Sequence, residues 1–286
     1  MNTDSSQWRL ISHPAHGGAW NMATDEAILH AVADGVSPPT LRLYAWDPAC
    51  LSLGRAQPIS DVDQAQLEEE GWDLVRRPTG GRAILHHAEL TYAVIAPEAH
   101  PLMQGGVLES YRRISQALVS ALQQLTVLVE VKGSEATSEA DRINPVCFEV
   151  PSAYEITVQG RKVLGSAQVR RRKTVLQHGS LPLSGNIDRI CDVLQYQNEA
   201  QRELARRQVQ HKAATLEDLL GRAVPWQQAA EVFLHGFETE LGLSLHEGEL
   251  TQWEESFIET LLKDRYCNPE WTERVADRPP QEQTSS

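Results

Sequence analysis

The sequence predicts an α+β domain with a helical C-terminal extension, and three observations carry that expectation. Strand-type patterns crowd the chain up to Leu183, and helical patterns dominate after it. Within the first part, residues 154–159 alternate apolar and polar positions, the period of a half-buried strand, and two further strand-like runs follow to Leu183 across short polar turns, which makes a meander. Against this, residues 105–125 place Leu108, Tyr111, Ile114, Leu118, Ala121 and Leu125 at helical spacing, so at least one long helix packs on the sheet. With 286 residues, 41% hydrophobic and 23% charged, the chain has enough apolar content for a sizeable core.

The elements follow in order. Residues 8–11 read as a short strand and 21–33 as a helix, with Asp25 and Glu26 placed in its first turns, where the helix dipole favours acids. Residues 41–44 and 50–53 are strand-like and are split by the Asp47-Pro48 turn. A polar helix over 61–70 ends at Gly71, and strands over 73–77, 82–86 and 90–96 follow. Residues 132–143 are charged and poor in apolar side chains, which predicts a mobile loop. In the meander, Tyr154, Ile156 and Val158 share one face; Gly160-Arg161 turns the chain into a strand over 162–169; Arg170 to Lys173 form a second turn before a strand over 174–183.

From there the chain reads as helical to the end. Residues 198–211 are highly charged, Thr215 to Asp218 resemble a capping box, and Pro225 opens a helix that turns Val232, Phe233, Phe237 and Leu241 inward. Residues 250–262 bring Trp253, Phe257, Ile258 and Leu261 to one side, and 277–286 read as a disordered tail. These patterns divide the chain into a domain over 8–247 and an extension with its tail over 248–286, with no internal repeat.

A net charge of −13 argues against nonspecific nucleic-acid binding, which depends on neutralising phosphates. No apolar run approaches the roughly 20 residues that span a bilayer, and the polar start MNTDSSQW lacks a signal-peptide pattern, so a cytoplasmic protein is expected. Four cysteines without a C-x-x-C pair exclude a metal ribbon or disulfide framework. His86 and His87 are adjacent and point to opposite faces of a strand, so no metal site is expected from them.

Chemistry concentrates in two stretches. Cys147 lies between Pro145 and Pro151, where the backbone cannot run on as a regular strand or helix, and a loop presents it. A free cysteine is more often a small buried hydrophobe, the role assigned to Cys50, Cys191 and Cys267. Near Cys147, however, Lys162 stands in a segment otherwise apolar or small, and an ammonium beside a thiol favours the reactive thiolate. The competing reading of Lys162 is a residue of a surface hairpin turn. Gly165, Ala167 and Gly179 are small residues in strand interiors, which mark close approach of a ligand or another backbone. The second stretch is the loop Arg76-Arg77-Pro78-Thr79-Gly80-Gly81-Arg82, either a plain hairpin turn or a site where backbone N–H groups and arginine forks meet an acyl or phosphate group. The run Arg170 to Lys173 reads either as a solvated turn or as a docking patch for an acidic partner.

The runs CFEVPSAYEITVQGRKVLGSAQVRRRKTVLQHGS and RRPTGGRAILHHAELTYAVIA resemble the cysteine-dependent octanoyltransferases of lipoate assembly, within the lipoate and biotin ligase superfamily, and the similarity extends over residues 8–271. It implies the catalytic fold of biotin and lipoate protein ligases: mixed sheets with packed helices. It also implies octanoyl transfer from octanoyl-acyl carrier protein to Cys147, and then to a lysine of a lipoyl-accepting protein such as the glycine cleavage H protein or a 2-oxoacid dehydrogenase lipoyl domain. Cys147 and Lys162 would be catalytic. Arg76, Gly80, Gly81, Arg82, His86, Gly165, Ala167 and His178 would bind the acyl group and substrate. His87 departs from the family, where an acidic residue usually follows the first histidine. No cofactor is implied, and a monomer is expected.

Two related activities compete. An ATP-dependent lipoate ligase shares the fold, glycine loop and lysine but forms an acyl-adenylate and requires no cysteine. An amidotransferase would move octanoyl between two lipoyl-accepting proteins, which the RRPTGGR loop fits less well. A binding protein that merely kept the fold would be expected to lose Cys147 or Lys162, and both are present.

Overall fold

The computed structural model describes residues 5–125, 129–133 and 154–274. Cys147, most of the 132–143 loop and the 277–286 tail lie outside the described residues. Among the described residues eleven strands form two sheets: β1 Gln7–Ser12, β2 Thr40–Tyr44, β3 Cys50–Leu53, β4 Asp73–Arg76, β5 Ile84–His86, β6 Glu89–Pro97, β7 Glu130–Gly133, β8 Tyr154–Val158, β9 Arg161–Arg171, β10 Thr174–Pro182 and β11 Ser244–Glu247. The large sheet runs β11-β1-β2-β6-β10-β9-β8-β7 and the small one β4-β3-β5. Pairing is parallel from β11 through β1 to β2 and antiparallel from β2 onward.

The two faces of the large sheet have different cover. One carries α3 (Val107–Gln124) and α6 (Trp226–Leu241), whose inward Ile114, Leu118, Phe233 and Phe237 pack on Tyr92, Val94 and Val163. Gly236 lets these helices meet closely, since a Cβ there would stand 2.5 Å from the Ala117 carbonyl. The other face takes α1 (Gly18–Ala33), which packs its Met22, Ala27 and Ile28 with Ala93, Ile95 and Leu176 and is covered in turn by α7 (Gln252–Leu261). Enclosed from both sides, α1 buries residues all round, as a helix without a solvent face must. A third cluster joins the small sheet to α2 (Gln64–Glu69), the 3₁₀ turn Ile187–Val193 and α4 (Glu199–Lys212). No helix among the described residues is long and apolar enough to cross a membrane.

Several expectations are corrected. The chain is not helical throughout after Leu183: β11 adds an edge strand beside β1, too short and too half-buried to stand out from its helical neighbours. Lys132 and Gly133 belong to β7, paired with β8, and not to a loop. Arg170 and Arg171 continue β9, leaving Arg172 and Lys173 as the turn, both at positive φ. Because α1 starts at Gly18, Asp25 and Glu26 lie in mid-helix and are buried, held by cations from other elements. Cys50 and Cys191 are buried, but Cys267 is exposed.

The Thr215 capping box opens α5 (Leu216–Leu220), as its sequence suggests. A second box at Thr251 opens α7, and its Glu254 accepts both ends of the Arg9 guanidinium at 2.8 and 2.6 Å. That fork ties the C-terminal helices to β1.

Candidate active site

The glycine loop leaves the end of β4 and returns to β5. Arg77 folds back under it, donating to the Gly80 carbonyl at 2.9 Å, the Arg82 carbonyl at 2.7 Å and the Ser52 carbonyl at 2.9 Å. The same guanidinium thus ties the loop carbonyls of Gly80 and Arg82 to Ser52 of β3. Thr79 reaches the other way, to the His178 ring at 2.8 Å. Gly54 completes the fit, because a Cβ there would stand 1.9 Å from the Gly81 carbonyl oxygen, and Gly81 itself sits at φ +94°. Gly80 and Gly81 remain exposed and border an open cleft of about 660 Å³ with Arg55, Ala56, Pro78, Val169 and Arg274. Substituting Gly54 by alanine must displace the loop, and a displacement near 1 Å is expected to slow catalysis about tenfold to a hundredfold. Initial rates together with a melting curve check this; full activity in a folded Gly54→Ala protein would detach the loop's shape from the chemistry.

Arg76 is placed elsewhere than expected. Its guanidinium is fully buried and donates to the carbonyls of Gly54 (2.9 Å), Gln57 (2.6 Å) and Thr272 (2.8 and 2.5 Å). Burial, then the charges of Arg274 and Arg77, lowers its pKa to about 10, so it stays charged at neutral pH. Arg76 joins β4 to the last helix, α8 (Pro269–Thr272), while its neighbour Arg77 shapes the loop.

Two buried polar chains hold the sheet face beneath. In the first, the His178 Nδ1–H donates to Asp25 at 3.1 Å, and Asp25 also accepts from Arg42 at 2.7 Å and Tyr44 at 2.9 Å. Burial, only partly opposed by Asp25, lowers the His178 pKa and keeps the ring neutral, so its Nε2 accepts from the Thr79 hydroxyl. In the second, His86 stacks on Trp46 at 3.9 Å and spans Ser52 (2.7 Å) and Glu89 (2.8 Å), with Ser180 also donating to Glu89. His86 is buried and His87 exposed, on opposite sides as alternation requires. Arg82 is half-buried, with its carbonyl taken by Arg77.

Lys162 owes its position to a β-bulge. Leu164 pairs with Ile156 and Lys162 with Thr157, so Val163 is the extra residue of β9. Val163 and Leu164 both enter the core under α3, and Lys162 is therefore turned to the face that bears Gly165, Ala167 and Val169. It is only 3% exposed, which is incompatible with a residue of a surface hairpin turn. Directly across the ladder, Gly165 faces Ser180 and Ala167 faces His178, which brings Lys162, the small residues and His178 to one face of the sheet. Gly179 is small for another reason: a Cβ there would meet the Tyr92 ring at 2.6 Å and Ser166 at 2.5 Å, on the opposite face. Of the basic run, Arg170 is spent on the carbonyls of Met103, Gly105 and Gly106, Arg171 lies 3.6 Å from Glu26, and Arg172 pairs with Asp34 at 2.6 Å. A continuous basic patch at 170–173 is thus absent.

The residues missed from sequence are Asp25, Arg42, Thr79, Arg77 and Glu89 as partners of the loop and the histidines. Charged residues inside otherwise apolar runs, NMATDEAILHAV and LRLYAW, were the available signal.

The fold is that of lipoate protein ligases. A bipartite lipoate protein ligase from Thermoplasma acidophilum, studied with its E2 lipoyl domain, matches with a TM-score of 0.78 at 23% identity over 96% of this chain and 99% of that one. A lipoate-protein ligase A bound with ATP matches with a TM-score of 0.76 at 22% identity, over 94% and 100%. The chain belongs to the lipoyl protein ligase A/B catalytic domain family, which matches residues 18–238. It is 40% identical to the octanoyltransferase LipM of Carboxydothermus hydrogenoformans over 92% of this chain and 97% of that protein. A protein of the same name from Kyrpidia tusciae is 41% identical over 93% and 98%. The chain is an acyltransferase.

Proposed function

We propose that this protein transfers octanoyl from octanoyl-acyl carrier protein, through a thioester on Cys147, to a lysine of a lipoyl-accepting protein such as the glycine cleavage H protein or a 2-oxoacid dehydrogenase lipoyl domain. The observation that carries the reading is near-full-length similarity, about 40% identity, to proteins named octanoyltransferase. The Cys147 thiolate attacks the donor thioester carbonyl, the carrier's C–S bond breaks, and the departing thiolate takes a proton from solvent. The acceptor amine then attacks the enzyme thioester, forms the amide, gives up its proton to solvent and returns the Cys147 thiolate. Thioester to thioester is nearly neutral and thioester to amide is downhill, so neither step needs a nucleotide.

Lys162 supplies the charge that favours the thiolate, and its burial supports this role because a cation in a low-dielectric site acts more strongly than one in water. The exposed Gly80-Gly81 backbone borders the open cleft through which the acyl donor enters. Gly165 and Ala167 leave room for the bound donor, while His86 and His178 shape the walls beside it. The second reading, ligation through an acyl-adenylate, is favoured by the fold's likeness to an ATP-bound ligase. Incubation with octanoyl-acyl carrier protein in the absence of ATP separates the two. Intact-protein mass spectrometry is expected to show one octanoyl adduct, discharged on addition of acceptor protein; acylation only when octanoate and ATP are supplied would establish the ligase instead.

A further inference from the structure

We infer that Arg55 and Arg274, backed by Arg171 and Arg265, form a binding site for the phosphodiester on the prosthetic arm of the acyl donor; this rests on the octanoyl-transfer reading above. Arg55 and Arg274 are exposed and both line the cleft floored by Gly80 and Gly81. The Arg274 guanidinium donates to the Arg55 carbonyl at 3.0 Å and lies 4.0 Å over the Trp271 ring. Arg265 lies 4.4 Å over the same ring. Glu26 is the carboxylate that answers this group: it pairs with Arg265 and, at 3.6 Å, with Arg171. Among the described residues no carboxylate pairs with Arg55 or Arg274.

Three guanidinium groups around one indole and one carboxylate, with Arg55 beside them at the cleft, leave a local excess of positive charge in a chain whose net charge is −13. Partial burial, then the repulsion of Arg55, Arg265 and Arg171, holds Arg274 below the ordinary arginine range. A bound anion relieves that repulsion, and arginine forks match phosphate oxygens well. The acidic remainder of the surface would repel an acidic carrier, so a compact cationic spot at the cleft also fixes where such a donor lands.

Geometry distinguishes an arm from an adenylate. Lys162 and Val169 lie on one face of β9, seven positions apart, and Val169 reaches the cleft. At a strand rise near 3.3 Å per residue the separation is about 20 Å. In an acyl-adenylate the phosphate is bonded to the acyl group, and one molecule cannot place its phosphate at the cleft and its carbonyl at Lys162. A thioester at the end of a long arm that carries its phosphate at the far end can do both, with Gly165 and Ala167 giving the arm clearance between them.

Binding of 4′-phosphopantetheine and of pantetheine, followed by calorimetry on the parent protein and on the Arg55→Gln/Arg274→Gln double variant, tests the site without relying on turnover. The parent is expected to prefer the phosphorylated compound about tenfold, the gain of one charge-assisted contact, with the preference falling as salt rises. The double variant, which alters two exposed side chains, is expected to bind both compounds alike. Equal binding of the two by the parent, an unchanged preference in the variant, or AMP binding as tightly and losing affinity through the same substitutions would overturn the assignment. Failure of octanoyl transfer from the carrier without ATP is a separate result, which would remove the transferase reading while the phosphate preference is scored on its own.

Discussion

Cys147→Ser is expected to lower octanoyl transfer about a thousandfold or more while leaving the fold intact, since loss of a covalent nucleophile removes the pathway and not one contact within it. A serine hydroxyl has no accessible anion near neutral pH, and Lys162 alone cannot supply one. The companion measurement concerns that lysine. If its charge favours the thiolate, Lys162→Ala shifts alkylation of Cys147 by a small reagent to higher pH, and Lys162→Arg keeps part of the reactivity because the charge survives with a different shape. Substantial turnover by the Cys147→Ser protein with carrier-bound octanoyl would end the thioester mechanism. Superimposable alkylation profiles for the parent and Lys162→Ala would leave the thiol without this activator.

Asp25→Ala is expected to cost about 3–5 kcal/mol of stability, the usual effect of leaving a buried charge unpaired. Arg42 is fully buried, and its guanidinium also lies 3.8 Å over the Tyr44 ring, so it has no route to water once the carboxylate is gone. His178 would lose the acceptor that fixes its tautomer, and Thr79 of the glycine loop would lose its anchor, so catalysis should fall together with stability. Urea denaturation gives the first effect and steady-state rates the second; a loss below about 1 kcal/mol would show that the site collapses or hydrates without strain.

Acid should act on the same chain of groups. Burial opposes ionisation of Asp25, but the His178 hydrogen bond and Arg42 outweigh it and hold the carboxyl below the usual range. Its contribution is therefore present above the ordinary carboxylate pKa of about 4 and is lost as pH falls through the folded value. The lowered pKa of His178 has the same sign at a higher window. The unfolded ring takes up a proton first, so this contribution is full above about pH 6.5 and declines on acidification below it. His13 adds to that slope, because burial, and then Arg42, lowers its pKa to about 3.

The α+β class, the meander that carries Lys162, the capping box at Thr215 and the placement of a glycine loop between strands are legible along the chain, because each is written in local periodicity or in turn chemistry. The sequence could also mark Cys147 and Lys162 as unusual, since loop prolines and a lysine among small residues are visible without coordinates. What the charges do depends on packing between distant elements. Arg76 and Arg77 are neighbours in sequence, yet one side chain secures the C-terminal helix and the other secures the loop, because alternate residues leave a strand on opposite sides. Asp25 and Glu26 looked like acids near a helix start and proved to be buried counter-charges to cations from distant strands and helices. The run 170–173 looked like one basic patch and was dispersed to three different partners. Lys162 reached the face of Gly165 and Ala167 through a single extra residue in β9, and the cationic group beside the cleft was assembled from Arg55, Arg171 and the pair Arg265 and Arg274, three separate stretches of the chain. Periodicity reports which face a residue takes along its own element. Which charges meet depends on sheet order and on bulges, and these are set by packing between elements, so no window along the sequence contains them.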